Sequence, residues 1–205
     1  MSQPVLDSID LDIVSIRSSD TAVQAVQQLD SRCFSDGEQT DVASECDRPS
    51  TYVWVAQKKP SLHSTVNVDA AQIDGESSTS DVFGYMVAWH VADELHILNI
   101  ATDPAHRCRG IGSALLSHAI RFAQANEIRL VLLEVRKSNV AAIHLYLSFG
   151  FSVLRLRVGY YANNDEDAVE MALSINSETG NSETDNSETD NTSIHPTSNQ
   201  GTRSE

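Results

Sequence analysis

Six consecutive residues, Arg107-Cys108-Arg109-Gly110-Ile111-Gly112, set two cations and two glycines just ahead of an apolar-periodic stretch. Glycines let the backbone bend closely round a ligand, and a helix start presents free N–H groups with partial positive charge. Successive amides there can bind a diphosphate, with Arg107 and Arg109 adding charge-assisted contacts. The same residues also fit a plain glycine turn with solvated arginines. Further along, Glu134 follows the run Leu130-Val131-Leu132-Leu133. A bare carboxylate is expensive there unless it meets water, a partner or a cationic substrate; a strand that has simply reached the surface would leave it solvated. Tyr146 follows Asn139 by seven positions, about two helical turns, so both point the same way along a helix and one ligand can touch both. Asn139 equally fits the N-cap of that helix, and Tyr146 a core tyrosine satisfied by a hydrogen bond.

These residues need elements to hold them, and periodicity supplies an order. Leu11 to Arg17 reads as a strand, and Asp20 to Phe34 as a helix with apolar Val23, Val26 and Leu29. A shorter helix fits Asp41 to Asp47, and a strand fits Thr51 to Lys58. Val82 to Val91 and Glu94 to Thr102 form an antiparallel pair joined tightly at Ala92-Asp93, and Asp103-Pro104 ends the second strand. A helix from about Gly112 to Asn126 places Leu115, Ala119 and Phe122 on one face. The Leu130 to Leu133 run is apolar throughout, as expected for a central strand covered on both sides. Ser138-Asn139 opens another helix that Gly150 closes, and strands near Phe151 to Arg157 and Ala168 to Leu173 follow. The fold class expected is α/β of mixed α+β type: a mixed sheet of about seven strands flanked on both faces by about four helices.

The chain has 205 residues, 40% of them apolar, which suits one domain carrying extra polar sequence. That domain is expected over 1–175, with a polar surface insertion at about 60–81. Residues 176–205 repeat the pattern Asn-Ser-Glu-Thr-Asp with no apolar side chain in the repeats, and read as a disordered acidic tail. The formal charge is −15, of which 174–205 carries −5, leaving −10 for the rest. So acidic a body repels phosphate backbones and draws in cationic partners, which argues against nucleic acid as ligand. No run of eighteen apolar residues occurs and the first residues lack a basic, then apolar, export pattern, so no membrane partner and a cytoplasmic location are expected. Cys33, Cys46 and Cys108 are odd in number, and the seven histidines show no paired spacing; neither a disulfide nor a metal is expected.

Strand, glycine loop, helix, a strand ending Glu134-Val135-Arg136, then Ser138-Asn139 and Leu145-Tyr146-Leu147-Ser148-Phe149-Gly150-Phe151 together resemble the GNAT superfamily of acyl-CoA N-acetyltransferases. Within it, Leu98 to Leu173 looks most like the RimI-type ribosomal-protein alanine N-acetyltransferases, including Leu98-Asn99-Ile100-Ala101, Tyr160-Tyr161 and Glu166-Asp167-Ala168. The resemblance implies the GNAT fold with a splayed sheet, acetyl-CoA as co-substrate, no metal, and direct transfer through a ternary complex. Ile100, Ala101 and Thr102 then offer main-chain groups to the cofactor. Arg107, Cys108, Arg109, Gly110, Ile111, Gly112 and Ser113 hold the pyrophosphate, and Asn139 contacts the pantetheine. By the same analogy Glu134 is the general base, taking a proton from the attacking amine directly or through water, and Tyr146 is the general acid for the departing thiolate. Reference values of about 10 for a phenol and about 8.5 for a thiol make that last transfer mildly uphill. A main-chain N–H of the Leu98 to Thr102 strand is expected to meet the oxyanion.

The acceptor implied is a basic protein N-terminus, namely the N-terminal alanine of a small-subunit ribosomal protein. Lysine or small-molecule amines, or a non-catalytic acetyl-CoA sensor, are the alternatives. The N-terminal third departs most from the family: Cys33-Phe34 is followed by Ser35-Asp36-Gly37-Glu38, where the family carries apolar and aromatic residues shaping the peptide site.

Overall fold

The computed structural model describes residues 10–35, 38–59 and 82–175; the expected 60–81 insertion and the 176–205 tail lie outside them. Among the described residues seven strands form one sheet: β1 (Leu11–Ile16), β2 (Thr51–Lys58), β3 (Val82–Val91), β4 (Glu94–Thr102), β5 (Leu130–Arg136), β6 (Ser152–Tyr161) and β7 (Glu166–Ser174), in the order β1-β2-β3-β4-β5-β7-β6. Four helices flank it, α1 (Ala22–Cys33), α2 (Val42–Asp47), α3 (Ile111–Ala125) and α4 (Val140–Ser148), with a short 3-10 turn at Pro104–His106. Every pairing is antiparallel except β4 with β5.

The helices divide the faces unequally. Val26 and Leu29 of α1 and Val42 of α2 bury against Ile16, Val53, Val55, Tyr85, Val87 and Ala101, which lie on β1 to β4. On the opposite face Ile111, Leu115, Leu116 and Ala119 of α3 pack against Trp54, Met86, Leu95, Val131 and Leu133, with Tyr146 of α4 in the same cluster. Alternate side chains of β1 to β4 feed the two layers, as the two-residue period of a strand requires. Gly84 permits the closest approach: a Cβ there would stand 2.7 Å from both the Ala101 carbonyl and Ile111 Cγ2, so the bare backbone seats the start of α3 on the sheet.

Three expectations need correction. The Leu130 to Leu133 run is not covered on both sides: Val131 and Leu133 are buried under α3, while Leu130 and Leu132 stay partly exposed because α1 and α2 stop at β4. Phe122 is only partly buried, its ring resting on Tyr52 at 4.5 Å and Trp54 at 5.2 Å, whereas Leu116 and Ala123 take the core side of α3. The last two strands are longer than periodicity indicates, because their pairing skips residues after Val153 and again between Arg157 and Tyr161, which breaks the two-residue pattern.

Candidate active site

The sheet opens where chemistry was expected. β4 and β5 pair only from Glu94 opposite Leu130 to Ile97 opposite Leu133. Beyond that point β4 carries a bulge: Ala88 faces Ile97 and Val87 faces Asn99, so Leu98 is the extra residue. A bulge bends its strand, and here the bend separates β4 from β5 along Asn99 to Thr102. The Asp103 amide donates to the Phe83 carbonyl at 2.8 Å, towards β3. By strand alternation the N–H and C=O groups of Thr102 and Ile100 point the other way, into the gap. In keeping with this, the Thr102 carbonyl accepts a contact from the Cys33 thiol at 3.5 Å.

A groove of about 450 Å³ starts in that gap. Its lining includes Ile100, Ala101, Thr102, Arg107, Cys108 and Gly110 to Ser113, closed by Asn139, Ala142 and Tyr146 of the α4 segment. Gly110 is the N-cap of α3 with φ +82, a conformation that disfavours any residue with a Cβ, and no side chain caps the helix. The N–H groups of Ile111, Gly112 and Ser113 therefore have no acceptor among the described residues. Three orphan donors at a helix N-terminus, with Arg107 alongside, fit the diphosphate of acetyl-CoA. Arg109 is exposed and is not among the lining residues. Asn139 serves as the N-cap of α4, its side-chain oxygen accepting from the Ala142 amide at 3.2 Å, and it lines the groove as well.

A second cavity of about 420 Å³ adjoins the first, sharing Cys33, Phe34, Ile100, Asn139 and Tyr146, and it brings in Glu134. Glu134 and Tyr146 thus face one space from β5 and α4. Tyr146 is 4% exposed and its hydroxyl makes no hydrogen bond among the described residues. Burial, then the nearby Tyr161, raises its phenol above the usual tyrosine range. The proton consequently stays on Tyr146 at neutral pH, and its transfer to a thiolate is steeper than for a free phenol. Glu134 also opens onto a third cavity of about 500 Å³, over the uncovered face of β5, β7 and β6, with Leu98, Leu132, Trp89, His96, Tyr160 and Glu170 around it.

Several polar residues here escaped the sequence reading. Arg157 pairs with Glu134. Arg136 joins Glu38, from the segment after α1, to Glu166 at 2.8 Å and to Asn163 and Asn164 at 3.1 Å, so one guanidinium ties two loops together beside the cavity, with the Tyr161 ring 3.7 Å beneath it. Asp30 is fully buried, accepting from the Tyr85 hydroxyl and from the Thr40 amide at 3.1 Å, while the Thr40 hydroxyl accepts from Asn99 at 2.7 Å. That chain of bonds fixes the segment bearing Glu38 against the strand at its bulge. Asp30 gave one sequence signal, a carboxylate beside Leu29 on the apolar side of a helix; the other contacts join residues far apart in the chain and leave none.

The acetyltransferase (GNAT) family model matches residues 23–151. Over 88 residues the chain is 46% identical to the ribosomal protein bS18-alanine N-acetyltransferase of Escherichia coli strain K12, a stretch covering 42% of this chain and 60% of that relative's length. The crystal structure of the ribosomal-protein-S18-alanine N-acetyltransferase from Escherichia coli aligns with a TM-score of 0.62 at 28% identity, covering 80% of this chain and 94% of that one. Arabidopsis thaliana NAA60 in complex with acetyl-CoA aligns at 0.60 and 19% identity, over 80% of this chain and 98% of that one, a likeness of fold.

Proposed function

Because the chain belongs to the acetyltransferase (GNAT) family, we propose that it moves an acetyl group from acetyl-CoA to a protein N-terminal α-amine, that of the terminal alanine of a small-subunit ribosomal protein, in the cytoplasm. The observation that carries this reading is the joining of two cavities across the gap between β4 and β5, one lined by orphan amides and the other by Glu134 and Tyr146. When bound, acetyl-CoA supplies a thioester carbonyl open to attack by an amine. The amides of Ile111, Gly112 and Ser113 and the Arg107 side chain hold its diphosphate, with Ile100, Ala101 and Thr102 along its length. Ile100 or Thr102 directs a main-chain N–H at the carbonyl oxygen, where a preorganised donor is worth most. Glu134 takes the amine's proton, and Tyr146 keeps a proton ready for the sulfur.

The choice of α-amine over lysine follows from proton affinity and charge. An α-amine titrates near about 7.7 to 8.0 and a lysine near about 10.4, so at neutral pH far more of the α-amine is already nucleophilic and a carboxylate suffices as base. A ribosomal protein is cationic, which suits a chain of charge −15. Incubation with acetyl-CoA and peptides beginning Ala-Arg, beside lysine peptides with blocked N-termini, followed by mass location of the label, tests the reading. Label on the α-amine is expected; label on lysine alone refutes it.

A further inference from the structure

Glu134 is the group the proposed reaction needs free, yet its carboxylate is already engaged. Arg157 Nη1 donates to Glu134 Oε1, and the same carboxylate, with burial, pushes the neighbouring Tyr160 phenol upward. The Arg157 guanidinium lies 4.2 Å from the centre of the Tyr160 ring, so the two side chains form one unit over Glu134. Both belong to β6, the edge strand. Its pairing with β7 lapses between Arg157, opposite Ala168, and Tyr161, opposite Glu166, leaving Val158, Gly159 and Tyr160 out of register with Gly159 at φ +61.

The surroundings explain why a cation sits there. Glu170 of β7 stands directly opposite Glu134 in register, and like charges in that relation repel. Arg155 of β6 answers Glu170 at 2.5 Å and Arg157 answers Glu134. Among the described residues, the remaining charged or titratable groups around the two cavities that Glu134 lines are Cys33 of α1, Tyr161 of β6, His96 of β4, Tyr146 of α4, and Arg136, which Glu38 and Glu166 already hold. A protonated amine would bring to Glu134 what Arg157 supplies without it: one positive charge and N–H donors. Side-chain exposures of 39% for Arg157 and 27% for Glu134 leave the pair screened by water, so one cation can replace another at small expense.

We propose that Arg157 is a positioning residue that occupies the acceptor ammonium's place on Glu134 and withdraws with the Val158-Gly159-Tyr160 bulge when the acceptor enters. The proposal deepens the acetyl-transfer reading and rests on it. It makes the site selective for cationic acceptors, because a neutral ligand leaves Glu134 paired to its own arginine. Without the guanidinium, Glu134 faces Glu170 with no cation of its own, so an entering ammonium meets an unoccupied carboxylate.

The test compares wild type with Arg157→Gln, Arg157→Lys and Tyr160→Phe by steady-state kinetics, separating kcat from KM, with acetyl-CoA and a peptide whose α-amine is its sole amine. For Arg157→Gln the acceptor KM is expected to fall about 2- to 5-fold, the range a partly exposed ion pair supports. kcat should hold within about 2-fold, because Arg157 has left Glu134 before transfer, and Arg157→Lys, which keeps a cation there, should return the KM toward wild type. Tyr160→Phe, which keeps the charge but loosens the Arg157–Tyr160 unit, should lower the acceptor KM by less, and it carries the test if Arg157→Gln does not fold. An acceptor KM that rises or stays put in the folded variants overturns the proposal alone, provided wild type turns over. A wild type that acetylates no amine sinks the transferase reading and this inference with it.

Discussion

The groove proposed for the cofactor and the face proposed for the acceptor meet at Tyr146 but are made of different material. The groove is largely main chain: the free edge of β4, a glycine turn and the first amides of α3. The acceptor face is largely side chain, with Glu38 from beyond α1, His96 from β4, Glu134 and Arg136 from β5, Glu170 from β7, and Arg157 and Tyr160 from β6. A main-chain site is rigid and indifferent to most substitutions that spare its glycines. A side-chain site assembled across strands depends on each partner. Damage on the acceptor face should therefore reach turnover and acceptor binding while sparing CoA, and damage in the groove should do the reverse.

The largest effect expected is from Glu134→Gln, which keeps shape and removes the proposed base. kcat/KM for the peptide should fall by about 10²- to 10⁴-fold, the usual worth of a positioned general base. CoA affinity measured by calorimetry should hold, since Glu134 lines the second and third cavities and not the groove. A parallel loss of CoA affinity would erase the distinction between the two regions.

Asp30→Ala comes next. It strips the acceptor from the buried Tyr85 hydroxyl and the Thr40 amide, and leaving such donors unpaired costs about 1–3 kcal/mol. Thermal denaturation should show it as a fall of roughly 2–4 °C per kcal/mol for a chain of this size. Because the same bonds hold the segment that carries Glu38, the acceptor KM should rise more than the acetyl-CoA KM. Equal rises would mean that Asp30 supports the whole gap and not the acceptor side.

The same division explains what was legible in the sequence. Gly110 and Gly112 ahead of an apolar helix announce a main-chain site, because a local run of residues fixes local backbone geometry. Thr51 to Lys58, Val82 to Val91 and Glu94 to Thr102 match their strands end to end, since that half of the sheet is covered on both faces and 53–56 and 83–88 are buried without a break. The bulge at Leu98 and the skipped residues of β6 are invisible to a periodicity argument, because each is defined by what stands on the neighbouring strand. Glu134 stood out as a carboxylate after an apolar run, but its pairing with Arg157 and the opposition of Glu170 depend on the order β5-β7-β6, which no local pattern states.

A smaller effect is expected in the groove itself. Gly110→Ala adds a Cβ that would meet nothing within 4 Å, so the change acts through the backbone alone. Holding a non-glycine residue near φ +82 costs roughly 1–2 kcal/mol, and part of that should appear as a rise of several-fold in the acetyl-CoA KM with the acceptor KM unchanged. A shift confined to the acceptor would contradict the division of labour.

The gentlest test leaves the sequence intact and uses two cysteines as reporters. Cys108 is exposed in the turn and lines the groove, whereas Cys46 lies in α2, partly buried and away from it. Burial, helped by the acidic Asp47, Asp20 and Glu45, pushes the Cys46 thiol up to about 11. A raised thiol value means the neutral form persists as pH climbs, and only the thiolate is alkylated, so Cys46 should react slowly at pH 8 and about tenfold faster for each pH unit above it until its own value is reached. Cys108 should be labelled first at pH 8. Saturating CoA should slow Cys108 and leave Cys46 at its former rate, because a diphosphate on the Ile111 to Ser113 amides covers the turn and nothing near α2. Mass mapping of the alkylated peptides reads both rates in one sample, and unaltered Cys108 labelling under saturating CoA would remove the cofactor from this loop.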